Sequence, residues 1–265
     1  MSQTVKAFPI VYNEEVYRWI YLFVQSKNPN YIQTWLKRSY RYFPFMKNAF
    51  KEKNLPEDLV HMTLIESSLS SKAVSSAQAV GYWQFIRPTA LQFGLRINPW
   101  LDERKDFEKS TLAASQYLSQ LYIKFDDWLL SMAAYNMGET RLTQFITKYK
   151  TKNFWRLSRK HDFPRETALF VPKVLAASLI MKNPERYGYN QFSVLAPYRY
   201  DVFYAPGGVN LKKLCREMKL SWSEFKILNP ELKKGVIPKT AYHHRIRVPK
   251  GSGFKFSQWL KKQKL

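Results

Sequence analysis

Apolar residues recur at three- and four-residue intervals through most of the first 190 positions, and nothing before residue 195 alternates at the two-residue period of a strand. Residues 1–195 are therefore expected to be mainly α, with their apolar stripes turned inward. Residues 13–52 read as two helices. Glu14 and Glu15 suit the positive N-terminal end of the first, and Asn28-Pro29-Asn30 breaks it. Tyr31, Trp35, Leu36, Tyr40 and Phe43 form the stripe of the second. A third helix is announced by Asn54-Leu55-Pro56-Glu57-Asp58, carries Leu59, Val60, Met62, Leu64 and Ile65, and ends at Glu66-Ser67-Ser68. Small polar residues from Ser70 to Gly81 predict a loop. A fourth helix is expected from about Asp106, with Leu112, Tyr117, Leu118, Leu121, Tyr122 and Phe125 on one face. After Asp126-Asp127, the run Trp128 to Asn136 is nearly all apolar and closes at Gly138, which predicts a buried central helix. Helices over Glu139–Tyr149 and Glu166–Lys182 complete the set, with Pro172 expected as a kink or fresh start in the last.

The pattern changes between Asn190 and Pro197. Tyr198 to Tyr204 alternates aromatic and polar residues, and Ala205-Pro206-Gly207-Gly208 is a turn. Asn210–Met218 and Ser221–Leu228 read as short helices, and Arg245-Ile246-Arg247-Val248-Pro249 as a closing strand. Residues 196–265 are thus expected to form a small α+β unit of β-α-α-β order, following a helical domain over residues 1–195.

Charge narrows the partners. The 265 residues carry a net charge of +23, and Leu232 to Leu265 holds ten Lys/Arg with no Asp or Glu. Such a surface attracts nucleic acid, anionic headgroups or an acidic cell-wall polymer. No helix-turn-helix, zinc-finger or RNP-like pattern accompanies it, so a nucleic-acid partner is not expected. A hydrophobic content of 45% excludes a disordered tail. The single Cys215 excludes an internal disulfide framework and a cysteine zinc cage. His61 and Glu66 have no second histidine nearby, and His243-His244 reads as loop, so neither a metal site nor a cofactor is expected. No apolar run approaches the roughly 20 residues of a membrane-spanning helix. Met1 to Tyr12 has no leader of the export type, which leaves either a cytoplasmic chain or an export signal outside this sequence.

Glu66 is the first candidate for chemistry. It closes an apolar helix, where partial desolvation would raise its pKa and suit it to donate a proton near neutrality. A lone carboxyl at a helix end is more often just solvated, so its surroundings matter. Gly81-Tyr82-Trp83-Gln84-Phe85 follows with aromatic faces and an amide, the groups that hold a sugar, although rings are equally at home in a core. Tyr135-Asn136 adds a phenol and a second amide at the end of the buried helix.

Taken together, Glu66-Ser67, Ser75, Gly81-Tyr82-Trp83-Gln84-Phe85 and Ala134-Tyr135-Asn136 resemble the motif series of the soluble lytic transglycosylase superfamily, glycoside hydrolase family 23. Ser75 and Gln84 stand nine and eighteen residues beyond Glu66, the offsets that family uses. Asp102-Glu103-Arg104-Lys105-Asp106 and Pro164-Arg165-Glu166-Thr167 resemble the membrane-bound lytic murein transglycosylase D branch, from which Tyr82 departs because that branch usually has leucine. The resemblance runs from about Val16 to Asn183.

It implies a lysozyme-like α-helical catalytic domain that cleaves peptidoglycan between N-acetylmuramic acid and N-acetylglucosamine. Glu66 would act as acid and then as base, releasing 1,6-anhydro products. By the same implication Tyr135 would assist Glu66, while Ser67, Ser75, Gly81, Gln84 and Asn136 would serve substrate binding. Tyr82 and Trp83 would line the glycan groove. Glu139 is open between a salt bridge with an arginine and a catalytic role. The C-terminal unit resembles a LysM-type module through Leu211, Leu214, Trp222, Phe225, Leu228-Asn229-Pro230 and Ile246 to Pro249. Whether it binds glycan, tethers acidic wall polymers or simply packs is open. The implied location is the periplasm, the cell envelope or the outside of the cell. The alternative on the same fold is a hydrolytic lysozyme, with selectivity for deacetylated glycan included. A non-catalytic polyanion binder is the remote one.

Overall fold

The computed structural model describes residues 7–26 and 30–262. The Asn28-Pro29 break, the first six residues of the Met1–Tyr12 stretch and Lys264 of the basic tail lie outside the described residues. In chain order the helices are α1 (Glu14–Val24), α2 (Asn30–Lys51), α3 (Met62–Ser67), α4 (Arg87–Gln92), α5 (Phe107–Phe125), α6 (Trp128–Met137), α7 (Glu139–Tyr149), α8 (Phe154–Leu157) and α9 (Arg165–Lys182). Strand β1 (Tyr200–Pro206), helices α10 (Leu211–Glu217) and α11 (Trp222–Leu228), strand β2 (His243–Pro249) and helix α12 (Gly253–Lys262) follow. The order is mainly α with a small β-α-α-β unit, as the periodicity predicts.

The chain forms two compact units, Met1–Ser70 with Thr111–Leu195, and Ser71–Ser110 with Ala196–Leu265. The first is helical and built around α9, which packs against α1, α3 and α6. Phe170, Val171, Val174, Leu175, Ala176, Ala177 and Ile180 bury its full circumference. Pro172 neither ends nor restarts this helix but sits inside it. Burial on every side stabilises the helix by more than one missing backbone hydrogen bond costs. Helix α6 is buried as expected, started by Asp127, whose carboxylate accepts from the Leu130 amide at 2.8 Å.

The second unit gathers the segment 71–110 around the C-terminal residues. Strands β1 and β2 pair antiparallel, with Phe203 opposite Ile246 and Val202 opposite Arg247. Their core is Ala205, Leu211, Leu214, Phe225, Leu232, Ile237, Ile246, Val248, Phe256 and Trp259, and Leu101 from the earlier segment is part of it. Leu101 also forms a β-bridge with Leu232. Two elements here escape the sequence reading. Helix α4 is short and carries its proline in the first turn. In α12 the apolar pair Phe256 and Trp259, three positions apart, is hidden among lysines that suggest only a solvated tail. A correction concerns His243-His244, which begins β2 rather than lying in a loop. His244 is buried edge-on against Trp100 at 4.9 Å, and burial pushes its pKa down to about 4.

Since Leu101 is fully buried in the core of the second unit, Leu101→Ala should lower unfolding free energy by about 2–5 kcal/mol. Leu91→Ala, at a position 47% exposed, should stay within about 0.5 kcal/mol of the parent. Urea denaturation of both variants measures the difference.

Candidate functional site

The candidate residues divide between the units. In the first, Glu66 occupies the penultimate position of α3, and the helix stops because Ser68 and Leu69 take left-handed conformations, with φ of 50° and 58°. Two side chains of α2 hold that bend. The Trp35 indole donates to Ser68 Oγ at 3.0 Å, and Arg38 Nη1 donates to the Ser68 carbonyl at 2.7 Å. Trp35 is itself fully buried, so the bend is anchored to the core. Neither residue stands out in the sequence as more than part of an apolar stripe or a charge run.

The Glu66 carboxyl has no hydrogen bond or ion pair among the described residues. Loss of water raises its pKa from 4.5 to about 8, and the negative charge of Glu166 on α9 adds to the rise. Near neutrality this carboxyl carries its proton. The phenol of Tyr135, at the end of α6, lies within the electrostatic reach of Glu66. Burial, then Glu66, then Tyr117 hold its pKa well above the ordinary phenol value, so it stays a neutral donor. The Tyr117 and Tyr135 rings lie 5.2 Å apart, and burial with the charge of Glu139 pushes Tyr117 up to about 12. Asn136 is fixed by Thr167 on α9, whose hydroxyl donates to Asn136 Oδ1 at 2.6 Å. Glu139 pairs with Lys124 at 3.4 Å rather than with an arginine. Glu166 and Thr167 lie in the Pro164-to-Thr167 motif, which was therefore the available signal for both.

Ser67 serves the turn. Its hydroxyl donates to the Thr63 carbonyl at 3.2 Å and accepts from the Ser70 amide at 3.3 Å. His61, on the turn before α3, is buried edge-on to Phe43 at 5.4 Å, and burial pushes it down to about 4. A neutral, packed histidine fits a core role.

In the second unit, Ser75 and Gln84 share one folded loop. The Ser75 hydroxyl accepts from the Ala79 amide at 3.1 Å, while the backbone of the two residues pairs at 3.0 Å. Gln84 holds a left-handed φ of 48° and donates its amide to the Gly81 carbonyl at 2.9 Å and the Ala73 carbonyl at 3.3 Å. Those bonds leave its carbonyl Oε1 for another donor. Gly81 has a φ of +83°, and a Cβ there would meet the Arg104 carbonyl at 2.1 Å, so no side chain fits. The expectation that Tyr82 and Trp83 line an open groove is corrected: they are 1% and 0% exposed, and their faces are spent on the interior. The motif's aromatics are packing residues that hold Gln84, the half-buried position between two buried ones.

Comparison with known proteins matches residues 43–158 to the family Transglycosylase SLT domain. Residues 201–264 match the family described as lytic transglycosylase MltD, LysM-like domain. The chain is 32% identical over 229 residues to the membrane-bound lytic murein transglycosylase D of Escherichia coli strain K12, covering 84% of this chain and 50% of that protein. The chain thus spans about half the length of this curated relative. The solved 70 kDa soluble lytic transglycosylase of Escherichia coli superposes with a TM-score of 0.51 at 21% identity, covering 64% of this chain and 29% of that one. That likeness concerns the fold.

A carboxyl whose pKa is raised on folding works against stability at neutral pH. Below pH 4.5 it is protonated in both states and costs nothing; between 4.5 and about 8 only the unfolded chain releases the proton, and above that the cost is constant. Glu66→Gln should therefore stabilise the fold at pH 8 by on the order of 1–3 kcal/mol. The gain should vanish at pH 4, as thermal or urea unfolding at the two pH values measures.

Proposed function

We propose, from the match of residues 43–158 to the SLT transglycosylase domain and the likeness to membrane-bound lytic murein transglycosylase D, that the chain cleaves the β-1,4 bond between N-acetylmuramic acid and N-acetylglucosamine in peptidoglycan. The observation that carries this reading is a desolvated carboxyl, Glu66, that keeps its proton near neutrality and lies within electrostatic reach of a phenol that also keeps its own. Protonated Glu66 donates to the glycosidic oxygen as the bond breaks, and the muramoyl C1 gains oxocarbenium character. The Glu66 carboxylate then accepts the proton of the C6 hydroxyl. That oxygen closes on C1 and yields a 1,6-anhydro end, with no water consumed. One carboxyl thus serves twice, which lifts the need for a second positioned carboxylate.

Tyr135, fixed as a neutral donor beside Glu66, stabilises the carboxylate once the proton has left. Asn136 is held by Thr167 as a support of the same site. Ser75 and Gln84 contact the glycan and its substituents, the latter through the amide oxygen that its loop leaves over. The reaction places the chain at the cell wall, in the periplasm or envelope, and the net charge of +23 favours acidic wall polymers. No helix among the described residues is long and apolar enough to cross a membrane.

One observation favours the hydrolytic alternative. Glu166 acts electrostatically on Glu66 from α9 and carries a second carboxylate that could activate a water. The two routes give products that differ by one water.

Glu66→Gln should abolish release of soluble fragments from purified sacculi while circular dichroism stays that of the parent. Mass spectrometry of the parent's digest should give anhydro ends; reducing ends would replace the transglycosylase by the hydrolase. Because the acid must be protonated, kcat should fall as pH rises through about 8, the value to which Glu66 is raised. Glu166→Gln should move that limb to lower pH, since it removes a charge that raises Glu66.

A further inference from the structure

The second unit contains a charge cluster that the reaction does not use. Arg247 on β2 is 1% exposed. Its Nη2 donates to both oxygens of Asp106 at 2.7 and 2.8 Å and to Glu108 Oε2 at 2.8 Å. Its Nη1 donates to the Leu228 carbonyl at 3.3 Å and to Glu231 at 3.4 Å. The guanidinium lies over the rings of Phe107 and Tyr200, 5.3 and 5.7 Å from their centroids. Arg245 joins Glu108 at 2.7 Å, and the Tyr200 hydroxyl donates to the same carboxylate. Burial and the nearby Asp106 push Glu231 up to about 8. With Glu231 neutral, two guanidinium groups face two carboxylates.

The cluster joins the C-terminal residues to the segment 98–108, and the backbone repeats the join. The Asp102 amide donates to the Glu231 carbonyl at 2.8 Å, and the Lys233 amide to the Trp100 carbonyl at 2.8 Å. From Asp102 the connection continues inside the same unit. Its carboxylate grips Arg104 Nε and Nη2, both at 2.9 Å. Arg104 Nη1 donates to the carbonyls of Gln78 at 3.0 Å and Phe85 at 3.1 Å, at either end of the turn that carries Gln84. The Arg104 carbonyl is also the atom against which Gly81 closes. Asp106 is tied back to Asp102 by the backbone, its amide donating to the Glu103 carbonyl and the Lys105 amide to the Asp102 carbonyl, both at 3.1 Å. The Arg247 and Asp102 ion pairs at the two ends of this stretch are buried, and such bonds are costly to leave half made.

We infer that the C-terminal unit is a brace for the loop of Ser75 and Gln84, and that Arg247 is a positioning residue acting on that loop through Asp106, Asp102 and Arg104. A module whose task was only to tether the chain to the wall would need no buried ion cluster with the segment that carries the glycan contacts. Two short charged joints and a linker would serve it as well. The inference deepens the proposed function and rests on Ser75 and Gln84 meeting substrate.

The test uses the full chain with Arg247→Gln and Arg247→Lys, assayed on purified glycan strands and by hydrogen exchange with mass spectrometry. Arg247→Gln should raise KM about tenfold with kcat within about twofold, the pattern of lost substrate positioning rather than lost chemistry. Amide exchange should quicken over residues 73–86 and 98–108. Arg247→Lys keeps the charge but not the fork and should recover part of both effects. Should Arg247→Gln fail to fold, Asp106→Asn, which removes the paired charge on the path and leaves Arg247 its bonds to Glu108 and Glu231, takes its place with the same readouts. Wild-type exchange over 73–86 in the variant, or a loss confined to kcat, would overturn the brace. If the parent chain shows no turnover, the functional reading fails alone, and the exchange pattern still decides the brace.

Discussion

Denying water to one carboxyl is the constraint on which the site depends. Glu66 lies at the end of a helix whose body is core, and no donor among the described residues compensates the charge it would carry. The chain holds it there through the left-handed pair Ser68-Leu69, clamped from α2 by Trp35 and Arg38. The clamp must outweigh a group that, at neutral pH, favours the unfolded state. A carboxyl held this way exchanges stability for a proton that it keeps near neutrality.

Around this carboxyl the polar groups separate by function. Tyr135 and Tyr117 are buried enough to remain phenols, so neither adds a negative charge beside Glu66. Asn136 answers to Thr167, and Glu139 to Lys124. Far along the sequence, Arg247 gathers Asp106, Glu108 and Glu231 into a cluster that is buried although the chain as a whole is strongly basic. The excess of lysine and arginine is a property of the surface, and it hides the fact that some of the few acids hold the second unit together.

The longer helices of the first 195 residues were legible because most carry local signals: acids or an Asp cap at the start of α1 and α6, an apolar stripe in α2 and α5, and glycine or a left-handed residue after α3, α6 and α7. Glu66 and Tyr135 are singled out by motif spacing, which needs no knowledge of packing, and the fold buries both and puts them within electrostatic reach of each other. Tyr82 and Trp83 were misread because an aromatic ring has the same sequence signature whether it faces a sugar or a core. Burial decides between them, and burial is a property of the surroundings. Helix α12 was hidden for the opposite reason, since its lysines outnumber the two residues that dock it. Pro172 reads as a kink or a fresh start because the local cost of proline is visible in the sequence, whereas the packing that keeps it inside α9 is not.

Local chemistry, then, determined which segments of the first 195 residues coil and nominated the side chains that suit proton transfer. The folded chain determined which of those groups lose their water. Desolvation raises Glu66 and keeps Tyr135 neutral, and the attraction of the acids around Arg247 outweighs it there; both depend on atoms brought from distant positions. Periodicity and capping act over one or two helical turns, so a sequence displays them directly. The removal of solvent from a charge is a sum over every neighbour, and it exists only once the neighbours have assembled.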